Sequence, residues 1–329
     1  MIDTLSEKKL IKAAYIFVPI HCTSKPIKMK PHTFPFKKID AFATEKSSGN
    51  PAGYIWLDSL ADISEGTMLQ IAKELKGFVN EVGYVAQVGE QEFDLRYYSS
   101  EREVDFCGHA TVAIMYDIIQ TRQGFADHEH LTINIKRARL TVENKVDEED
   151  AVFVMSPAPI VKERTPSLEE IAQKLKIAPS DIDQDLPIRI INAGISTLLV
   201  PITDLQAILN ISPELDELKE FCFASNIDII EVFTSDVHNK ASDFRTRVFS
   251  PTYGYLEDPA TGSGNSAFGY YLLQNHLWEE EIITIEQNGT LDTYNVVKLK
   301  KQLDENQTER VCFGGGAITR IEGSYLIHS

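Results

Sequence analysis

Apolar and polar residues alternate in short runs along most of the chain, the period-2 signature of half-buried β-strands. Phe93-Asp-Leu-Arg-Tyr-Tyr-Ser99, Leu131-Thr-Ile-Asn-Ile135 and Phe244-Arg-Thr-Arg-Val-Phe-Ser250 are examples. Two segments break the alternation. Residues 112–119 and 266–273 carry apolar side chains at helical spacing, and each follows a turn of small residues, Cys107-Gly-His-Ala-Thr111 and Pro259-Ala-Thr-Gly-Ser263. Each is predicted as a helix that enters closely against a curved sheet. Two further helices are predicted near residues 64–75 and 167–175. Both open on a serine followed by acidic residues, an N-cap signal, and their polar faces place them outside.

These elements recur in order. Phe93 to Ser99 matches Phe244 to Ser250 at an offset of 151, and the strands at Leu131 and Ile282 share that offset. Ahead of them, Asn80-Glu81-Val-Gly-Tyr-Val resembles Ile230-Glu231-Val-Phe-Thr, offset by 150. The openings Gly49-Asn-Pro-Ala-Gly-Tyr-Ile-Trp56 and Asn192-Ala-Gly-Ile-Ser-Thr-Leu-Leu199 also echo each other. The chain therefore reads as an α+β protein of two duplicated domains, each a mixed β-sheet wrapped around a central helix. Their expected limits are 31–148 and 149–329, joined in the acidic stretch Asp147 to Asp150, with residues 1–30 as an N-terminal extension.

The 329 residues suit two such domains, and 43% hydrophobic with 25% charged residues is ordinary globular composition. A formal charge of −17 makes nucleic acid and anionic membrane surfaces poor partners. The four cysteines, Cys22, Cys107, Cys222 and Cys312, show no paired spacing, so neither a zinc site nor a disulfide framework is expected, and a reducing cytoplasm fits. Residues 10–20, behind Lys8 and Lys9, loosely mimic a secretory signal. Lys12 and Pro19 interrupt the run and no small-residue cleavage site follows, so an added N-terminal segment is the expectation.

Chemistry is sought where the two copies differ. Each small-residue turn opens a helix whose free backbone N–H groups could seat a carboxylate, and two such seats facing one another would hold a small acid between the halves. A tight turn alone would also explain either glycine motif. Gly262-Ser-Gly264 lacks the offset glycine and acidic partner of a dinucleotide fingerprint. Glu81 lies in an apolar, β-prone run, where burial would raise its pKa into the range of a base that takes and returns a proton. Glu231 shares the same local frame, so the residues alone do not choose between them. His128-Glu-His130 has metal-like spacing inside an acidic loop and is expected to face water. Cys107 is either an activated thiol at a helix start or a small buried hydrophobe. Tyr97 and Tyr98 are expected to pack on a sheet.

The series Asp40-Ala-Phe-Ala, Gly49-Asn-Pro-Ala-Gly53, Asn80-Glu81, Phe106-Cys-Gly-His-Ala-Thr111, Glu257-Asp-Pro-Ala-Thr-Gly-Ser263 and Glu286-Gln287 resembles the motifs of the phenazine-biosynthesis-like (PhzF-type) isomerases. The resemblance runs from about residue 33 to the end. It implies a diaminopimelate epimerase-like fold and a cofactor-independent isomerase that moves a proton on a small carboxylate in an interdomain cleft, with no metal. By the same resemblance Glu81, His109 and Asp258 are the expected catalytic residues. Asn50, Gly108, Thr261, Gly262 and Ser263 are the expected substrate contacts, and a homodimer is expected. The epimerase relatives use one cysteine after each turn. Here the second turn has Pro259-Ala-Thr261 and no thiol, which argues against a two-thiol racemase. An amino-acid-type epimerase and a non-catalytic acid-binding protein are the alternatives.

Overall fold

The computed structural model describes residues 32–327. The reading of residues 1–30 as an extension lies outside the described residues. The chain runs β1 (His32–Ala41), β2 (Asn50–Leu57), α1 (Glu65–Glu74), β3 (Glu81–Gly89), β4 (Glu92–Ser99), β5 (Glu103–Val104), α2 (Gly108–Thr121), β6 (His130–Asn134), β7 (Arg139–Lys145) and a short α3 (Val146–Glu149). It continues through β8 (Ala151–Met155), β9 (Ile160–Lys162), α4 (Leu168–Leu175), β10 (Arg189–Asn192), β11 (Ser196–Pro201), α5 (Leu205–Asn210), α6 (Leu215–Ala224), β12 (Ile229–Thr234) and β13 (Phe244–Phe249). The last elements are β14 (Glu257–Asp258), α7 (Gly262–Gln274), β15 (Ile282–Gln287), β16 (Asn295–Leu303), β17 (Glu309–Gly315) and β18 (Ala317–Ile327).

Strand pairing repeats the sequence duplication. In the first half β1 is antiparallel to β2, β2 parallel to β3, β3 antiparallel to β4, and β4 antiparallel to β5 but parallel to β6, which turns back through β7 to β8. From β10 to β17 the same order of parallel and antiparallel steps recurs. β8 also pairs with β17, so the two arrays are continuous in one mixed sheet.

α2 and α7 are the central helices. Every residue of α2 from Ala110 to Ile119 is buried, as is almost all of α7 up to Leu272. A helix apolar on every face has no side to offer solvent and belongs inside a sheet that curls around it. Most of the polar exceptions have partners, although Asn265 Oδ1 and Tyr271 OH lack one among the described residues. Asp117 of α2 accepts from Lys37 Nζ, Tyr54 OH and Thr319 Oγ1 at 2.8–3.0 Å. In α7, Asn265 donates to Thr261 O at 2.7 Å and Ser266 to Gly262 O at 2.8 Å. Both helices pack into one core, where Phe233 of β12 meets Phe268 in a tilted and Tyr271 in an edge-on arrangement, with ring centroids 4.6 and 5.0 Å apart. Each such side chain contributes about 1.5–3 kcal/mol through burial.

The outer helices form as their sequences predict. Ser64 accepts from Thr67 N at the start of α1, and Ser167 accepts from Glu170 N at the start of α4. α4, α5 and α6 cover the other face of β10–β13 through a separate apolar cluster. Among the described residues no helix is long and apolar enough to cross a membrane.

Candidate active site

Glu81 is the first residue of β3, and Cys107 is the N-cap of α2. The strand start and the helix start meet, so residues 26 positions apart touch. The Cys107 thiol donates to Glu81 Oε2 at 3.7 Å. His109 Nε2 lies 3.2 Å from the same oxygen, and His109 Nδ1 lies 3.5 Å from Cys107 Sγ. Burial pushes the Glu81 carboxyl up to about 7; the charge of Asp258 adds to this and the Cys107 hydrogen bond opposes it. Burial brings His109 down to about 4, so the imidazole is neutral near pH 7 and its contact with Glu81 is a hydrogen bond rather than an ion pair. The Cys107 thiol is pushed well above its ordinary value by burial and by Glu81. That shift runs against an activated thiolate, and the contact makes Cys107 a polar partner of Glu81 rather than an inert hydrophobe.

Asp258 approaches from the second half. It is the last residue of β14, and its carboxyl is raised to about 7 by burial, against the opposing hydrogen bonds of Thr261, Ala260 and Asn50. Thr261 Oγ1 donates to Asp258 Oδ2 at 2.7 Å, and Asn50 Nδ2 donates to Oδ1 at 2.9 Å. Asn80, next to Glu81, donates to Asn50 Oδ1 at 2.8 Å. Gln287 completes the second turn, accepting from Thr261 N at 3.0 Å and from Asn265 Nδ2 at 2.7 Å. A chain of amides thus links the backbone beside Glu81 to the carboxyl that raises its pKa.

Both turns close on one aromatic ring. A Cβ on Gly108 would come within 3.1 Å of Phe313, and one on Gly262 within 2.5 Å. Glycine at these positions lets both helix starts close on the ring of β17. Among the described residues neither Cys107 nor Thr261, the N-caps of α2 and α7, makes a side-chain capping hydrogen bond, whereas α1, α4 and α5 are capped by Ser64, Ser167 and Asp204. Ser263 is half-buried on the first turn of α7.

Residues 39–323 match the PhzC-PhzF family, described as phenazine biosynthesis-like protein. The chain belongs to the PhzC-PhzF family. An uncharacterized isomerase of Bacillus subtilis, YfhB, is 30% identical over 268 residues, which is 80% of this chain and 89% of that protein. The crystal structure of the Bacillus anthracis phenazine biosynthesis protein of the PhzF family superposes with a TM-score of 0.79 at 25% identity, covering 90% of this chain and all of that one. A hydroxyproline epimerase from Agrobacterium vitis shares the fold, with a TM-score of 0.54 at 9% identity over 90% of this chain and 93% of its own. This PhzC-PhzF protein is an isomerase with an epimerase-like fold.

The structure separates Glu81 from Glu231. Tyr97 stands opposite Gly83, whereas Val248, its match in the repeat, stands opposite Glu231. Glu231 therefore corresponds to Gly83, and the counterpart of Glu81 is Ile229, so the shared local frame inferred from sequence is two residues out of register. Gly83 leaves room for Ile114 of α2; Glu231 fills the space over Gly264 of α7. Glu231 is fully buried, its oxygens lack hydrogen-bond partners among the described residues, and burial pushes its carboxyl well above the ordinary carboxylate range. The opening echo slips as well: Tyr54 lies beside Gly83 and Leu199 beside Glu231, whereas the sequences align Tyr54 with Thr197.

Other expectations fall as follows. His130 is exposed and His128 contacts Gln91 at the surface. Tyr97 and Tyr98 are buried in the sheet. Sequence reasoning passed over Asn80 as a bridging amide. It also missed Tyr255, a half-exposed aromatic whose phenol is held up by burial and by the charges of Asp258 and Glu81. Its position three residues before Asp258 was the available signal. Two surface hollows of about 320 and 420 Å³ lie at the opposite end of α2, bordered by Gln120 and Thr121.

Proposed function

We propose that the protein is a cofactor-independent isomerase that relocates a proton on a small carboxylate substrate, with Glu81 as the general acid/base. The observation that carries this reading is the Glu81 carboxyl itself, raised to about 7 and touched by Cys107 and His109. A group that must first take and then return a proton works best when its pKa lies near the working pH. Relocating a proton within one molecule is redox-neutral, so acid/base groups suffice for it.

In this reading the substrate carboxylate sits on the first-turn N–H groups of α2 and α7, at Gly108, Gly262 and Ser263, in a cleft between an N-terminal domain (31–148) and a C-terminal domain (149–329). Those amide dipoles would stabilise the negative charge that develops on the acid as its proton leaves carbon. Neutral His109 supplies a hydrogen-bond donor or acceptor beside Glu81, and its ring tautomer is set by which of the two groups holds the proton. Asp258, fixed by Asn50 and Thr261, keeps Glu81 from ionising early and orients the substrate.

An amino-acid epimerase is the second reading, favoured by the fold shared with the hydroxyproline epimerase. The N-cap position that Cys107 fills at α2 is filled by Thr261 at α7, so a second thiol base is missing from that place. Glu81→Gln separates catalysis from binding. Retained affinity for a small acid with turnover lost supports the isomerase, whereas affinity with no turnover in the wild-type protein supports a binding protein.

A further inference from the structure

We propose that Glu81, Cys107 and His109 form a binding site for a thiophilic divalent cation, with Zn²⁺ the best match, and that occupation of this site silences the enzyme. The sequence gives no hint of it, since Cys107 has no neighbouring cysteine and Glu81 comes from a different element. The fold assembles the donor set.

The distances carry the argument. Glu81 Oε2 and His109 Nε2 are 3.2 Å apart, Glu81 Oε2 and Cys107 Sγ 3.7 Å, and Cys107 Sγ and His109 Nε2 3.9 Å. A tetrahedral zinc with ordinary bond lengths to oxygen, nitrogen and sulfur separates its ligands by about 3.3 Å for the nitrogen–oxygen edge and about 3.6 Å for either edge to sulfur. The three donors thus already stand near the corners of a zinc tetrahedron, and shifts of a few tenths of an ångström complete it. All three lie within 4.8 Å of one another.

Charge agrees with geometry. On binding, the Cys107 S–H bond breaks, its proton passes to solvent and a sulfur–metal bond forms. Thiolate and carboxylate together neutralise a divalent cation, and the imidazole adds a neutral donor, so no net charge is buried. Sulfur and imidazole ligands select zinc over magnesium or calcium. Asp258 is engaged by Asn50 and Thr261, which leaves the fourth position to water. Silencing rests on Glu81 being the proton carrier, because a carboxylate bound to metal cannot take a proton from carbon. Binding itself does not rest on that reading.

The test is titration of the EDTA-stripped full chain with Co²⁺, followed by near-ultraviolet and visible absorption. We expect a saturable thiolate-to-cobalt band at one equivalent, with ligand-field bands of tetrahedral intensity, and bleaching when Zn²⁺ is added. The thiolate band should vanish in Cys107→Ser and weaken in His109→Gln, and should persist in His130→Ala. No thiolate band in the folded wild-type protein, or a band that survives Cys107→Ser, overturns the site. In parallel, Zn²⁺ should reversibly stop solvent-hydrogen exchange into substrate, with recovery on adding EDTA. If the cobalt band forms and exchange continues with zinc bound, the metal site stands and the role of Glu81 falls. If no band forms while exchange still depends on Glu81, the reverse holds.

Discussion

Asn50 donates one amide hydrogen to Asp258 at 2.9 Å and another to the Ala260 carbonyl at 2.8 Å, tying the start of β2 to the turn before α7. Asn80 extends the tie to the residue beside Glu81. Asn50→Leu removes the donors and leaves these buried acceptors without them. We predict a loss of about 1–3 kcal/mol in urea denaturation. Activity should fall more steeply than stability, because Asp258 then titrates higher and loses its fixed orientation. Unchanged activity would show that the bridge serves the fold alone.

The pH dependence follows from the sign of the Glu81 shift. Glu81 must be ionised to accept a proton, so kcat/KM should rise with pH through about 7. The Cys107 hydrogen bond lowers this pKa; Cys107→Ala should therefore move the ascending limb to higher pH while leaving turnover above it. A pH-rate profile of the two proteins checks the direction. A shift to lower pH, or loss of all turnover at every pH, would contradict the assignment of Cys107 as a hydrogen-bond partner.

Glu231 is a buried carboxyl without a hydrogen-bond partner among the described residues, and Glu231→Leu exchanges it for an apolar side chain of similar size. We expect stability to rise by about 1–3 kcal/mol and activity to survive. Glu81, Asp258 and Glu231 all titrate higher folded than unfolded. The folded state then holds more protons above the unfolded carboxyl range, so their stabilisation is complete at low pH and is lost as pH rises through about 7 for the first two. Glu231→Leu should flatten the fall. Thermal melts between pH 5 and 8 measure it.

Gly262→Ala places a methyl group 2.5 Å from the Phe313 ring in a buried turn. Overpacking of this kind costs about 1–3 kcal/mol. At Gly108 the approach is 3.1 Å, so Gly108→Ala should be milder. Comparison of the two melting temperatures tests that order.

Much of this architecture could be read in the chain. Alternation and the 151-residue offset foretold the repeated pairing, and the small-residue turns foretold α2 and α7, because strand and helix periods are local properties. Register was not legible. Glu231 resembled a twin of Glu81 because both precede a valine in a β-prone run, yet cross-strand pairing places it opposite Val248, two residues deeper. The Glu81–Cys107 contact and the Phe313 wedge depend on long-range packing, which leaves no local trace. The role of Asn80 was not legible either, since a bridging amide has meaning only once Asn50 is beside it.

The central claim is that Glu81 moves the proton. Wild-type protein and Glu81→Gln can be incubated in D₂O with a panel of small unsaturated and α-amino carboxylic acids, and deuterium at carbon followed by NMR. The account predicts that wild type places deuterium on carbon of at least one acid, and that Glu81→Gln slows this by about 10²–10⁴-fold while His130→Ala does not. Exchange at an undiminished rate in Glu81→Gln would contradict it.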